Sequence, residues 1–280
     1  DKNDLTLKRR VERCKISIAR HLERLEALDE ALVLYRQCQR PPSRERQARI
    51  LVKQGRLSDA LLVCKAVLSE THSAEKPQHE EEQVFARDFA HRSVRKAAPD
   101  LLEQWPAPEK YTPPSKRVSL IDSDESVELQ AAGHLSAQGE CFYVENSLLG
   151  GVLGLLIWDI VFAPVRGAFF NPFQSAPSDF SSPDFIVARA DMLSARLDNL
   201  SEQEFHARVW QTWQEKQGIA NPLVHWSFLT EALLLKALEC IPLLHWQAVF
   251  SRLLRDIRNH RSGFPDLILF PEAGSYELVE

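Results

Sequence analysis

The sequence predicts a mainly α-helical N-terminal region followed by an α/β domain. Three observations carry that reading. Apolar residues recur at helical spacing over most of the first hundred positions. Trp105 to Ser115 then holds prolines at 106, 108, 113 and 114, the composition of a linker. Towards residue 280 the pattern changes to short apolar runs bounded by turn residues. A chain of 280 residues accommodates about two domains. The expected boundaries are 1–104 for the helical domain, 105–125 for the linker and 126–280 for the second domain.

Composition is that of an ordinary globular protein, 44% apolar and 26% charged. A net charge of −5 argues against a globally basic nucleic-acid binder, but the charge is unevenly spread. Residues 1–70 hold 16 Lys and Arg against 10 Asp and Glu, and the remainder holds 18 against 29. A basic N-terminal part suits phosphate and an acidic remainder suits metal; both also suit solvated helix faces. Five cysteines, at 14, 38, 64, 141 and 240, form no CxxC pair and read as reduced thiols. No signal peptide is recognised. The expected location is intracellular: cytoplasm or nucleoid in a bacterium, nucleus in a eukaryote.

In chain order, residues 4–38 read as one helix, with Leu5, Val11, Cys14, Ile18, Leu22, Leu25, Leu32 and Tyr35 at helical spacing. Lys8, Arg9, Arg10 and Arg13 crowd its start as candidate phosphate contacts, and Pro41-Pro42 ends the segment. Residues 44–68 read as a helix, a turn at Gly55 and a second helix with Ser58 or Asp59 as N-cap. Small Gly55 and Ala60 make this pair similar to a tetratricopeptide unit, with a generic helical hairpin as the alternative. His72 to Glu82 reads as loop and Gln83 to Ala98 as helix. Lys116 to Ile121 reads as a short strand, with Asp122 to Glu125 capping a helix over 127–134.

The stretch from Gly139 to Phe162 is apolar but broken by Gly150, Gly151, Gly154 and Asp159. It falls short of the roughly 18 unbroken apolar residues of a membrane span, so it predicts a buried helix and no membrane partner. Glu145 stands at its start, where a helix dipole favours an acid. Residues 164–250 read as mainly helical, with a loop over 177–183 and helical periodicity over 193–213, 226–238 and 242–257. Trp210, Trp213, Trp226 and Trp246 read as core.

Leu267 to Phe270 is a short apolar run that predicts a buried strand. Pro271 to Ser275 reads as a hairpin connection and Tyr276 to Val279 as the second strand. Asp266 and Glu280 then lie at adjacent strand ends. Two carboxylates there suit a hard divalent cation such as Mg²⁺ or Mn²⁺, or are the acidic rims of an ordinary hairpin. Pro-Asp occurs three times, at 99–100, 183–184 and 265–266, and only the third is followed by strand, turn, strand and acid.

Arg258-Asn-His-Arg-Ser-Gly-Phe-Pro-Asp266-Leu-Ile-Leu-Phe270 with Tyr276-Glu-Leu-Val-Glu280 resembles the end of a VRR-NUC domain, a branch of the PD-(D/E)XK nucleases. Glu145, the following Gly154-Leu-Leu and Trp158-Asp-Ile-Val-Phe162 resemble the Fanconi-associated nuclease family. The resemblance implies a PD-(D/E)XK nuclease fold for the second domain. It implies Glu145, Asp266 and Glu280 as catalytic ligands of one or two Mg²⁺ or Mn²⁺ ions. It gives Asp159 no catalytic role. It predicts Val and Lys after Glu280, and a chain shortened at both ends relative to the family. The implied activity is 5′-flap endonuclease and 5′–3′ exonuclease cleavage in DNA interstrand crosslink repair. The implied partners are branched or flapped double-stranded DNA and a DNA-repair protein.

Arg258, His260 and Arg261 are candidate phosphate contacts near the acids, whereas Arg252 and Arg255 read as a solvated helix face. Two alternatives stay open: another PD-(D/E)XK enzyme such as a junction resolvase, or a non-catalytic helical scaffold with a decayed nuclease fold.

Overall fold

The structure, a computed structural model, describes residues 2–70, 80–109, 112–120, 124–182 and 184–280, without the side chains of residues 2–6 and 9. The chain divides into two compact units, Asp1–Pro114 and Ser115–Glu280.

The first unit is a run of helices, each packed on the next: α1 Lys2–Arg24, α2 Leu28–Arg36, α3 Ser43–Lys53, α4 Leu57–Leu68 and α5 Glu80–Ala97. Its core is built around alanines with no exposed surface: Ala19, Ala31, Ala48, Ala60, Ala86 and Ala90. Small side chains let neighbouring helix backbones approach closely, while Leu32, Leu51, Cys64 and Val94 fill the remaining volume. Gly55 turns α3 into α4 at φ +75°, a backbone region that favours glycine. Ion pairs tie distant helices. Arg44 reaches Glu70 and Glu82, and Arg46 reaches Glu23, which also accepts from the buried Tyr35 phenol at 3.1 Å. Burial first, and then Glu23, pushes that phenol up to about 12.

Several expected boundaries move. The helix expected over 4–38 breaks after Arg24, where Glu26 takes φ +60° and the chain folds back as α2. Folding back lets both helices bury apolar faces against each other. Among the described side chains of α1, Ile16 and Ala19 are buried, while Val11, Cys14 and Ile18 are exposed. Neither Ser58 nor Asp59 is the N-cap of α4: helix begins at Leu57, and Asp59 instead pairs with Arg56 at 2.6 Å. Glu80 to Glu82, expected in a loop, form the acidic first turn of α5, where the helix dipole favours carboxylates. The rest of that expected loop, apart from Glu80 to Glu82, lies outside the described residues.

In the second unit, α6 spans Val127–Leu135, β1 Glu140–Tyr143, α7 Leu148–Leu156 and α8 Trp158–Val161. Then come α9 Asp184–Ala188, α10 Ala190–Leu197, α11 Glu202–Lys216, α12 Glu231–Cys240, α13 Leu243–Arg255 and α14 Ile257–His260. The chain ends in β2 Leu267–Phe270 and β3 Glu277–Val279. The three strands form one antiparallel sheet in the order β1-β2-β3. Every residue of β2 is buried, and so is every residue of α7. Glycine makes the packing of α7 feasible: a Cβ on Gly154 would lie 2.8 Å from Leu223 Cβ and 2.9 Å from Val224 Cγ2. Behind the sheet, Trp246, Phe205 and Phe250 form an aromatic centre. Trp210, Trp213 and Trp226 pack against this core partly buried.

Here too the structure corrects expectations. Residues 116–120 form no strand, and Ile121 lies outside the described residues. A strand needs a neighbour for its ladder, and β1 takes that place beside β2. The N-cap of α6 is Ser126, accepting from the Leu129 N–H, rather than any of Asp122 to Glu125. The 139–162 segment is a strand, a turn and two helices broken at Ile157, not one helix. The periodicity over 193–213 is cut at Asn199, φ +59°, and α11 restarts from a capping box between Ser201 and Glu204. Trp226 to Leu229 precede α12, which starts after the N-cap Thr230. Among the described residues no single helix is long and apolar enough to cross a membrane.

Candidate active site

The sheet register carries the three predicted acids to one end. Leu267 is the shared partner of Tyr143 on β1 and Val279 on β3. One residue beyond, the carbonyl of Asp266 accepts from the N–H of Val144 at 2.7 Å and from the N–H of Glu145 at 3.3 Å. Two successive amides on one carbonyl are the mark of a bulge, which turns the chain out of the ladder at Glu145. On the other side, the step from Leu267–Val279 places Glu280 alongside Asp266. Glu145 and Glu280 are exposed and Asp266 is half-buried. Among the described residues no three His, Cys, Asp or Glu side chains form a ready ligand cluster. The backbone thus gathers the acid-bearing positions at one end of the sheet.

The turn after Glu145 is held from both sides. Asn146 takes the left-handed conformation at φ +59°, which asparagine tolerates better than most residues. Its side-chain oxygen accepts from the Phe264 N–H at 2.9 Å, binding the Glu145 turn to the Pro265-Asp266 segment. Ser147 is buried, and its hydroxyl donates back to the Val144 carbonyl. On the other side, the Tyr143 phenol donates to Glu145 Oε2 at 2.6 Å. Its ring meets Phe228 edge to face, with centroids 5.8 Å apart. The hydrogen bond to Glu145 is the largest of the effects that push the Tyr143 phenol up to about 12, with burial and the charges of Glu145, Asp266 and Glu128 adding to it.

The remaining predicted residues belong to α1 in the first unit and to α13, α14 and the residue after it in the second. Arg258 and Arg261 are exposed on either side of α14's C-terminal end. His260 is buried, and its Nδ1 meets the Arg252 carbonyl at 2.6 Å, so this ring anchors α14 to α13. Arg252 and Arg255 are exposed in the last turn of α13. On α1, Lys8, Arg10 and Arg13 are exposed, and the Arg9 side chain lies outside the described residues. Asp159 pairs with Arg196 at 2.8 Å, and the same arginine also donates to the Leu156 carbonyl at the break after α7. Asp159 therefore serves the helix junction.

Sequence reasoning missed β1, Tyr143 and Asn146. The run Cys141-Phe-Tyr-Val144 after Gly139 is a strand signal, since aromatic and β-branched residues favour a pleated surface. An asparagine directly before a helix also signals a special backbone turn. The long apolar run that follows hid both.

Residues 200–280 match the VRR-NUC domain model, a range that includes Asp266 and Glu280 and starts after Glu145. The chain is 33% identical over 271 residues to the Fanconi-associated nuclease 1 homolog of Pseudomonas aeruginosa, covering 94% of this chain and 46% of that protein. It is 32% identical over 165 residues to Fanconi-associated nuclease 1 of Homo sapiens, covering 55% of this chain and 16% of that protein. A crystal structure of paFAN1 bound to 2nt 5′flap DNA with gap superposes with a TM-score of 0.75 at 32% identity, covering 97% of this chain and 49% of that one. The chain thus spans about half the length of its bacterial relative. The domain model, the relatives and the shared fold agree, and the chain belongs to the Fanconi-associated nuclease family.

Proposed function

We propose that the full-length protein is a metal-dependent, structure-specific DNA nuclease that hydrolyses phosphodiester bonds at 5′ flaps and trims exposed ends 5′ to 3′. The observation that carries this reading is the placement of Glu145, Asp266 and Glu280 at one end of the β1-β2-β3 sheet. The nuclease reading follows from family membership. The flap preference follows from relatives of the kind seen in paFAN1 with 5′flap DNA.

The acids suit a hard divalent cation. Carboxylates are oxygen donors of the type Mg²⁺ and Mn²⁺ prefer. Glu145, Asp266 and Glu280 are the residues that would hold one or two such ions. A divalent ion bound there supplies an acidified water and neutralises charge on the scissile phosphate. The protein's own part is placement: Asp266 sits where two backbone amides pin its carbonyl, and Asn146 holds the two acid-bearing segments in register. Arg258 and Arg261 offer exposed guanidiniums for flanking phosphates, while His260 supports them from inside by fixing α14. Lys8, Arg9, Arg10 and Arg13 give the helical part a basic edge for duplex phosphates.

In this reading residues 1–104 form the tetratricopeptide-like helical domain, 105–125 the linker and 126–280 the nuclease domain. The role is interstrand crosslink repair, in the nucleoid of a bacterium or the nucleus of a eukaryote, alongside a DNA-repair protein partner. The test is cleavage of 5′-flap, four-way-junction and linear duplex DNA by purified full-length protein with Mg²⁺, with Mn²⁺ and with excess EDTA. Flap cleavage that needs the metal and disappears in Asp266→Ala is expected. Undiminished cleavage in EDTA refutes the metal role. Preference for the four-way junction makes the protein a resolvase, and metal-supplemented protein inert on all three substrates makes it a scaffold.

A further inference from the structure

We infer that Tyr143 is a positioning residue for the Glu145 carboxylate, an inference that rests on the nuclease reading above. Glutamate has three rotatable side-chain bonds, and Glu145 is exposed at a turn, so nothing in its own backbone selects one rotamer. The Tyr143 phenol supplies the selection by donating to Oε2 at 2.6 Å. A phenol donating to a carboxylate is a charge-assisted bond, stronger than a neutral one. With Oε2 held in this way, Oε1 is the oxygen the bond leaves for a metal ion.

Tyr143 can do this because it is itself fixed. Its backbone lies in β1 opposite Leu267, the residue adjoining Asp266. Its ring is set edge to face against Phe228, at centroids 5.8 Å apart and 70° between planes. Glu145 follows two residues after Tyr143, just past the end of β1, and the turn there leaves its carboxylate within reach of the phenol. The same strand thus holds the donor rigidly, while the bulge turns the acid outward. Groups that hydrogen-bond a metal ligand set its orientation, and removing one costs roughly 10- to 100-fold in metal affinity or activity.

The experiment is Tyr143→Phe in full-length protein, which keeps the ring on Phe228 and removes only the hydroxyl. Mn²⁺ binding is measured without DNA by the electron paramagnetic resonance signal of free Mn²⁺. Flap cleavage is then measured as a function of Mn²⁺ and of DNA. The expected result is Mn²⁺ binding weakened about tenfold and a matching rise in half-saturating Mn²⁺. KM for DNA should stay unchanged, and kcat should recover at saturating Mn²⁺. In a Glu145→Gln background, Tyr143→Phe should add no further loss of Mn²⁺ binding, because the carboxylate it positions is gone. Unchanged Mn²⁺ binding in Tyr143→Phe, beside a wild type that binds Mn²⁺ and cleaves, overturns this inference alone. An equal loss in both backgrounds assigns Tyr143 a merely structural role and also overturns it. A wild type that binds no Mn²⁺ overturns the nuclease reading, and the inference falls with it.

Discussion

The side-chain oxygen of Asn146 accepts a hydrogen bond from the Phe264 N–H at 2.9 Å, across 118 positions of sequence. This bond ties the turn that carries Glu145 to the segment that carries Asp266. Asn146 contributes both the acceptor and a backbone at φ +59°. Asn146→Ala loses the bond and strains the turn, since a left-handed backbone costs an ordinary residue about 1–2 kcal/mol. The lost hydrogen bond adds about 1 kcal/mol. Asn146→Gly should relieve the strain and keep only the second loss. Urea unfolding therefore orders the three proteins as wild type, Gly, Ala in decreasing stability. A Gly variant less stable than the Ala variant would show that the backbone conformation is not the issue.

Two helical glycines should respond with opposite signs. A Cβ on Gly154 meets Leu223 and Val224 inside 3 Å, and both belong to the core. Overpacking of that kind costs about 1–3 kcal/mol, more than alanine gains in helix propensity. Gly133, in α6, has nothing within 4 Å of a Cβ. Gly133→Ala should raise Tm and Gly154→Ala should lower it, as read by calorimetry.

Arg44 donates to Glu82 from Nε at 3.1 Å, and the Glu82 side chain is only 3% exposed. Burial pushes the Glu82 carboxyl up from the ordinary carboxylate range, and Arg44 pulls it back in part. Arg44→Ala leaves that carboxylate buried without its main partner, at a cost of about 3 kcal/mol. A carboxyl raised in the folded state binds its proton more tightly there than in the unfolded chain. Its contribution to stability is therefore present at acidic pH and lost as pH rises through the folded value. The Arg44→Ala defect should shrink when unfolding is repeated at mildly acidic pH, and Glu82→Gln should rescue it at neutral pH.

Asp159 has the reverse sign. Its hydrogen bond to Arg196 holds the carboxyl below the ordinary range. The contribution is present above the unfolded value and lost as pH falls through the folded one. The side chain is 65% exposed, so solvent weakens the pair and the effect is small. Asp159→Asn should flatten acid unfolding slightly and leave DNA cleavage at the wild-type level. Loss of cleavage in a folded Asp159→Asn protein would give this acid a catalytic share.

The basic start of α1 is tested by salt. Replacing Lys8, Arg9, Arg10 and Arg13 together by alanine should weaken duplex binding and flatten the plot of log affinity against log salt. The slope should fall by about 0.9 for each phosphate the protein no longer neutralises. Fluorescence anisotropy across a salt titration reads the slope. An unaltered slope would leave these residues as a solvated helix face.

What the sequence determined by itself was local. Apolar spacing announces helices, Gly55 announces a turn, and an apolar tetrapeptide between Asp266 and a glycine-containing turn announces β2 and its hairpin. Those signals lie within a few residues of what they specify, so reading them needs no third dimension. The acids at 266 and 280 were legible as neighbours because a hairpin fixes its own register. Helix breaks at Glu26 and Asn199 were not legible, because a short left-handed interruption leaves helical spacing almost intact on either side. Tertiary structure decided the rest. β1 forms because β2 offers its edge, which brings Glu145 to Asp266 from 121 positions away in the sequence. The same pairing sets the Tyr143 phenol against Glu145, and Asn146 against Phe264. His260, polar by type, is drawn inside by one carbonyl of α13. Contacts between distant segments depend on which surfaces exclude water together. That is a property of the packed chain, and spacing along the sequence does not record it.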